Sequence, residues 1–128
     1  MQRDIHQPTN AQVKAELFFG ANKPDGSIPV TDNEFDNFLA DHVTRHFSGF
    51  SVSQVDGYWK GKSELTRVLT ILADDSNGFR NQVRMIAEQY KTRFAQEAVA
   101  YAFTEAQFAL DCWPYGPIGA YHKEGLGY

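Results

Sequence analysis

The stretch GYWKGKSELTRVLTILA, residues 57–73, decides the fold of this chain. It begins with a short turn flanked by Gly57 and Gly61 and continues into residues 65–73, where apolar side chains occupy both odd and even positions. β-Branched residues recur in this run, and a strand that is apolar on both faces is typical of the centre of a sheet. We therefore predict a hairpin whose second strand is central. Its first strand is marked by Phe50, Val52 and Val55.

Upstream of the hairpin, the sequence predicts one strand and one helix. Alternating apolar positions predict a first strand with one face turned to the core, at Val13, Ala15, Leu17 and Phe19. Residues 24–26, Pro-Asp-Gly, are turn formers and predict a loop. Thr31 and Glu34 then form a capping box, which marks the start of a helix that extends to about Ser48. Its buried stripe is Phe35, Phe38, Leu39, Val43 and Phe47.

Downstream of the hairpin, a second helix and a further strand follow. Ser76 supplies a helix cap. Helical spacing then predicts a buried stripe of Phe79, Val83, Ile86, Tyr90 and Phe94. Residues 98–103 alternate small and bulky side chains, which predicts a fourth strand. Phe108 and Leu110 are compatible with a short fifth strand.

The resulting order, β-α-β-β-α-β, predicts a ferredoxin-like α+β sandwich. In this fold an antiparallel sheet carries two helices on one face. We expect residues 13–110 to form the domain, residues 1–12 to be a flexible N-terminus, and residues 111–128 to be an irregular tail rich in glycine, proline and aromatic residues.

The composition excludes several classes of protein. A chain of 128 residues, 42% of them hydrophobic, is long enough to fold as one domain around its own core. Its net charge of -4 argues against a nucleic-acid partner, because binding to phosphates requires a basic surface. No apolar run approaches the length that spans a membrane. The single cysteine, Cys112, excludes an intramolecular disulfide and favours a reducing, cytoplasmic location.

Two helices cover only one face of such a sheet, so the other face is left bare. The bulky strand residues cannot all point into one core: Phe18, Trp59, Val68, Tyr101 and Phe103. Because exposed apolar area of that size usually marks association, we predict a dimer or trimer. The tail aromatics either contact a neighbouring subunit or fold back over their own sheet; they are Trp113, Tyr115 and Tyr121.

His42 and His46 lie four residues apart on the predicted first helix, a spacing that allows two imidazoles to bind one metal ion. No acidic or cysteine ligand joins them in the pattern. We therefore interpret them as residues at the edge of the buried stripe, and we expect neither a metal nor another cofactor.

Two sets of residues resemble known families. The first set is Glu16, Leu17, Phe18, Phe19, Gly20, Pro24, Asp25, Gly26, Gly57, Trp59, Tyr90, Lys91, Arg93, Phe94, Gln96, Glu97 and Val99. It resembles an uncharacterised family of small bacterial ferredoxin-like proteins over most of residues 13–104. That resemblance implies a fold and no activity.

The second set follows the order of another family: Gly57, Tyr58, Glu64, Thr66, Val68, Gln96, Glu97 and Val99. It resembles the phage S-adenosylmethionine lyases. The resemblance implies a PII-like homotrimer with active sites between subunits, and conversion of S-adenosylmethionine to 5'-methylthioadenosine and homoserine lactone. It matches Tyr58 and Glu64 to that family's tyrosine and glutamate. In a phage-encoded protein the activity would act in the host cytoplasm, where it would starve methylation-dependent restriction systems.

The residues themselves suit this substrate. A sulfonium is a good leaving group, so the substrate's own carboxylate can displace it once the molecule is bent, without a metal or a general acid. An ammonium and a sulfonium favour carboxylates and ring faces. We assign Glu64 or Glu97 to the ammonium and place Tyr58 and Trp59 beside the sulfonium or adenine. Glu105 is a further candidate for substrate binding.

Each of these residues also has a simpler interpretation. Tyr58 and Trp59 can cover a sheet edge, with the apolar part buried and the polar part in water. Glu64 and Glu105 can be solvated strand residues, and Glu97 can cap the end of the second helix. The alternative function is a non-catalytic ligand-binding or assembly module of ferredoxin-like fold, in which the aromatic residues serve oligomer packing.

Overall fold

The computed structural model describes residues 11–110, and it confirms the predicted ferredoxin-like α+β fold. The elements are β1 Gln12–Gly20, α1 Asp32–His42, β2 Ser51–Trp59, β3 Lys62–Asp74, α2 Asn77–Phe94 and β4 Ala100–Ala106. The strands form one antiparallel sheet in the order β2-β3-β1-β4, so β3 is central as predicted. Some predictions lie outside the described residues: those for the N-terminus, Cys112, Trp113, Tyr115 and Tyr121.

Strand β1 lies inside the sheet and contributes to the core from one face. It pairs with β3 on one side and β4 on the other, so Leu17 lies opposite both Leu69 and Tyr101. Phe19, like the other residues at odd positions of this strand, is buried under the helices. Its neighbour Phe18 points to the helix-free face, where 36% of it is exposed. The alternation in the sequence therefore determines which face the helices cover.

The core between sheet and helices is mainly aromatic. Tyr90 of α2 is fully buried, and its ring centroid lies 4.4 Å from that of Phe19, 5.3 Å from that of Phe38 and 4.9 Å from that of Phe94. Phe35 joins this cluster 5.7 Å from Phe19. The rings meet at tilted and edge-to-face angles, which are the favoured geometries for aromatic pairs. This cluster fixes both helices to the end of β1.

Both predicted helix caps are present. The Glu34 backbone N–H donates to Thr31 Oγ1 at 3.1 Å, and the Thr31 N–H donates to Glu34 Oε1 at 2.9 Å, which completes the capping box of α1. The Phe79 N–H donates to Ser76 Oγ at 3.0 Å at the start of α2. Among residues 11–110, neither helix is both long and apolar enough to cross a membrane.

Helix α1 is shorter than predicted, and this separates the two histidines. The Leu39 carbonyl accepts from the N–H groups of both Val43 and Thr44, which closes the last turn and ends the helix at His42. His46 lies in the following turn rather than on the same helix. Within the described residues, no group of three or more potential metal ligands is found.

The hairpin also differs from the prediction. Strand β2 continues through Gly57, Tyr58 and Trp59, so the turn consists only of Lys60 and Gly61. Both turn residues have positive φ, 51° and 80°, which is typical of a two-residue type I′ hairpin. The predicted turn over residues 57–61 was therefore too long, because a turn of this type needs only two residues with left-handed backbone.

The last predicted strand is absent. Strand β4 ends at Ala106, and residues 107–110 form no strand in the described part of the chain. The Phe108 N–H donates to the side-chain oxygen of Gln12 at 3.1 Å, so this backbone group bonds to a side chain instead of a strand ladder. Strand β4 also begins at Ala100, later than the predicted residue 98.

Position 57 requires glycine because Thr66 of the neighbouring strand leaves no space for a side chain, and not because of its backbone angles. A methyl group at this position would overlap Thr66 Oγ1 of β3. We expect Gly57→Ala to lower the free energy of unfolding by about 1–3 kcal/mol, as overpacking usually does. Chemical denaturation measures this change. Thr66→Ala should recover most of the loss when combined with Gly57→Ala, and a Gly57→Ala protein as stable as the wild type would contradict the assignment.

The loop after β1 is fixed at both ends. The Ala21 N–H donates to the Leu65 carbonyl at 3.0 Å, and the Val30 N–H donates back to the Ala21 carbonyl at 2.9 Å. Arg67, only 2% exposed, donates to the Val30 carbonyl at 3.1 Å and to Asp32 Oδ1 at 2.7 Å. The loop is therefore held against β3 by a buried guanidinium that the sequence pattern did not single out.

Candidate functional site

A groove of about 890 Å³ lies at the end of the sheet where β1 stops and the β2–β3 hairpin turns. This volume falls within the roughly 300–1,000 Å³ of typical ligand pockets. Its walls come from the loop after β1 and from the connection between α2 and β4. The sheet contributes residues from its helix-free face: Phe18, Gly20, Val55, Gly57, Trp59, Glu64, Thr66 and Ala100.

Glu64 lies in this groove with its carboxylate over the end of β1. The Asn22 N–H donates to Glu64 Oε1 at 2.9 Å, across 42 positions of sequence. A Cβ atom on Gly20 would lie 2.7 Å from both carboxylate oxygens. The absence of a side chain at Gly20 therefore provides the space that the carboxylate occupies. Within residues 11–110, Glu64 makes no ion pair, and Oε2 accepts no hydrogen bond.

Helix α2 supports the backbone beneath Glu64. The Tyr90 hydroxyl donates to the Gly20 carbonyl at 2.8 Å, and the Gln96 side-chain amide donates to the Asn22 carbonyl at 2.9 Å. Burial raises the pKa of Tyr90 above its usual range, and the negative charge of Glu64 adds to this rise. The hydroxyl therefore remains protonated and continues to donate this hydrogen bond.

An ion pair bridges the groove between the two edges of the sheet. Lys60 Nζ lies 2.8 Å from Glu97 Oε2. Lys60 belongs to the turn after β2 and Glu97 precedes β4, and these two strands are the opposite edges of the sheet. The same ammonium lies 5.8 Å from the centroid of the Trp59 ring. Both side chains of the ion pair are largely exposed, so it adds little to stability.

The two aromatic residues of the hairpin line different parts of the site. Trp59 is 47% exposed and, like Gly57, lies on the helix-free face of β2. Tyr58 precedes Trp59 in the strand, and successive side chains of a strand point to opposite faces of the sheet. The Tyr58 side chain therefore projects from the face opposite to that of Trp59, and 75% of it is exposed. Both residues contribute to the lining of the groove.

Of the five residues predicted from the sequence, four line the groove and one does not. Tyr58, Trp59, Glu64 and Glu97 lie around it. Glu105 is opposite Val13 near the other end of β1, so the structure does not bring it to the other four. The two histidines also lie away from the groove, with the His42 ring packed 5.1 Å from Phe38.

Sequence reasoning missed the residues that hold Glu64 in place. Neither Gly20 nor Asn22 was predicted as a site residue, although a glycine directly after a bulky strand is a signal of close backbone approach. The ion pair of Lys60 was also missed. Its contact with Glu97 depends on two connections that are distant in sequence, so no local pattern indicates it.

A family model described as Protein of unknown function (DUF3574) matches residues 14–109. No curated protein matches the sequence.

Three solved structures are similar in fold. A phage SAM lyase in complex with S-methyl-5'-thioadenosine gives a TM-score of 0.62 at 17% identity, covering 79% of this chain and 86% of that chain. A phage SAM lyase in the apo state gives 0.56 at 18% identity over the same shares. A de novo designed protein, Foldit4, gives 0.50 at 16% identity over 75% of this chain and 99% of that one. At these identities the likeness concerns the fold.

Proposed function

This chain belongs to the family described as Protein of unknown function (DUF3574), and we propose that it is an S-adenosylmethionine lyase. In this proposal it cleaves S-adenosylmethionine to 5'-methylthioadenosine and L-homoserine lactone. The fold that it shares with a phage SAM lyase bound to S-methyl-5'-thioadenosine supports the choice of substrate.

The observation that carries the proposal is the environment of Glu64. Its carboxylate lies in a groove lined by Phe18, Val55 and Trp59, where an apolar or aromatic ligand group can pack. Within the described residues it accepts from one backbone donor, Asn22, and makes no ion pair. A negative charge held in this way is suited to a ligand that brings its own positive charge.

A second contact supports cation binding at the same groove. The Lys60 ammonium lies 2.8 Å from Glu97 Oε2 and 5.8 Å from the centroid of the Trp59 ring. A carboxylate and a ring face are the two kinds of partner that a cationic substrate requires. In the proposed complex, Glu64 binds the α-ammonium, Trp59 contacts the sulfonium or the adenine, Tyr58 lines the groove at the hairpin, and Glu97 supplies further negative charge.

The proposed reaction needs binding and bending of the substrate, and no proton transfer. One oxygen of the substrate carboxylate attacks the carbon next to the sulfonium in the amino-acid chain, forming the C–O bond of the lactone. The C–S bond breaks and its electron pair goes to sulfur, which becomes the neutral thioether of 5'-methylthioadenosine. The ammonium stays on the lactone, so the net charge is conserved. Holding the ammonium at Glu64 fixes one end of the chain and favours this geometry.

We further propose that the enzyme is a cytoplasmic homotrimer whose neighbouring subunit closes the open side of each groove. The partly exposed Phe18, Val55 and Trp59 on the helix-free face support association. The presence of one cysteine in the whole chain supports a reducing setting. Sedimentation analysis of the purified protein tests the trimer, and a strict monomer would contradict it.

Incubation with S-adenosylmethionine tests the activity directly. We expect 5'-methylthioadenosine and homoserine lactone to appear in equal amounts by chromatography, above a control without protein that measures spontaneous cleavage. The same incubation in ¹⁸O-labelled water distinguishes the two routes to homoserine. If the lactone forms first and then opens, the label enters the carboxylate of homoserine. If water attacks the substrate directly, the label is found in the side-chain hydroxyl. Absence of methylthioadenosine at high protein concentration would exclude the lyase.

The alternative is a ligand-binding or assembly module without turnover. The same experiment separates the two, because S-adenosylmethionine that binds and is recovered intact supports the module. The exposed apolar residues of the helix-free face are the observation that favours this alternative, since packing between subunits would explain them without any chemistry.

A further inference from the structure

Gly20 and Asn22 together form a support for the carboxylate of Glu64. The carboxylate of Glu64 fills the space left by the missing side chain of Gly20, and the Asn22 N–H donates to one of its oxygens. Gly20 has no positive φ, so its backbone angles do not require glycine. The close approach of Glu64 is the contact that excludes a larger residue.

The support is connected to α2 through two carbonyl groups. Tyr90 donates to the carbonyl of Gly20, and Gln96 donates to the carbonyl of Asn22. These bonds join positions 70 and 74 residues apart in the sequence. The Asn22 side chain also donates to the Ser63 carbonyl at 3.3 Å, directly before Glu64 in the chain. The backbone on both sides of the carboxylate is therefore tied in place.

We propose that Gly20 and Asn22 are positioning residues, which set where the Glu64 carboxylate meets the positive group of the ligand; this rests on the proposed function. Glu64 touches the substrate in this proposal, whereas Gly20 acts by leaving space and Asn22 by orienting one oxygen. Oε2 then remains available for the ligand. Gln96 acts one step further away, by holding Asn22.

Gly20→Ala tests the proposal, because its methyl group displaces the carboxylate. The contact of 2.7 Å must lengthen to ordinary van der Waals distance, and the obstacle is the mobile end of a side chain, so the fold should persist. Misplacement of a binding group by about 1 Å can lower activity about 100-fold. We expect kcat/KM to fall about 10- to 100-fold while the denaturation midpoint changes little. Gly78→Ala is the matched control, since its Cβ meets nothing closer than 3.8 Å.

A double-mutant cycle separates positioning from a general structural effect. Glu64→Asp withdraws the carboxylate by one methylene, so its oxygens no longer reach the space above residue 20. In that background, adding Gly20→Ala should change kcat/KM by less than about twofold. An equal loss in both backgrounds would overturn the proposal. Gln96→Met provides a second variant, with an expected loss of about 3- to 10-fold, and wild-type activity in it would remove Gln96 from the network.

A measurement that does not depend on catalysis tests the positioning role separately from the proposed lyase activity. In NMR spectra, the Asn22 amide proton should be shifted downfield of its position in Glu64→Ala, because it donates to the Glu64 carboxylate. Gly20→Ala should abolish that shift, and Gly78→Ala should retain it. If the shift behaves in this way but no protein cleaves S-adenosylmethionine, the lyase is excluded and the support for Glu64 stands. If Gly20→Ala keeps both the shift and full activity, the positioning role is excluded.

Discussion

Glu64→Gln is expected to lower kcat/KM for S-adenosylmethionine by about 100-fold. Hydrogen bonds to charged groups contribute about 1.5–3 kcal/mol, which corresponds to roughly 10- to 150-fold in rate. Glutamine has nearly the same shape, and its carbonyl oxygen can still accept from the Asn22 N–H, so the loop and the fold should remain intact. Steady-state kinetics with chromatographic detection of 5'-methylthioadenosine measures the effect, and circular dichroism verifies folding.

The control for this substitution is Glu105→Gln. Glu105 lies on β4 opposite Val13, at the other end of the sheet from the groove. Glu105→Gln makes the same chemical change as Glu64→Gln, but away from the proposed site. We therefore expect kcat/KM to stay within about twofold of the wild type. A loss at Glu105 as large as that at Glu64 would contradict the position of the site, and full activity in Glu64→Gln would remove Glu64 from it.

Phe19→Ala is expected to lower the free energy of unfolding by about 3–5 kcal/mol, the usual effect of deleting a buried phenylalanine ring. Phe19 is 0% exposed, and its ring centroid lies 4.4 Å from that of Tyr90 and 5.7 Å from that of Phe38. Because domains are stable by only about 5–15 kcal/mol, this loss is a large part of the total. Urea denaturation followed by tryptophan fluorescence gives the free energy.

The matched substitution is Phe18→Ala, on the adjacent residue of the same strand. Phe18 is 36% exposed on the helix-free face, so the same deletion should lower the free energy of unfolding by less than half as much. Equal losses at Phe18 and Phe19 would show that a neighbouring subunit or another part of the chain covers the helix-free face as tightly as the helices cover the other.

The fold was largely predictable because its signals are local. The alternation in β1, the capping box at Thr31 and the stripe of α2 each depend on residues within one element, and the structure confirms all three. The errors are the ends of elements and the short fifth strand, which is absent from the described residues. α1 ends at His42 because the Leu39 carbonyl accepts the two hydrogen bonds that close its last turn. The hairpin turn has only two residues because both of them adopt positive φ.

The candidate site was predictable only in part. Residue type and proximity in sequence singled out Tyr58, Trp59 and Glu64 on the hairpin, and all three line the groove. Glu97 was assigned to the ammonium and Glu105 was kept as a further candidate, because residue type alone did not exclude it. The distinction comes from strand pairing, since Glu97 precedes β4 at the groove end and Glu105 lies at its far end.

The sequence by itself determined the order of the six elements, the buried face of β1 and the caps of both helices, because these follow from side-chain periodicity and hydrogen bonds between near neighbours. Only the tertiary structure decided that Gly20 makes room for the carboxylate of Glu64 and that Lys60 meets Glu97. The pairing of β1 with β3 brings Gly20 opposite Thr66, two residues from Glu64. The physical reason is register: a contact between distant residues exists only after two strands align, and a shift of one residue would turn Glu64 to the other face.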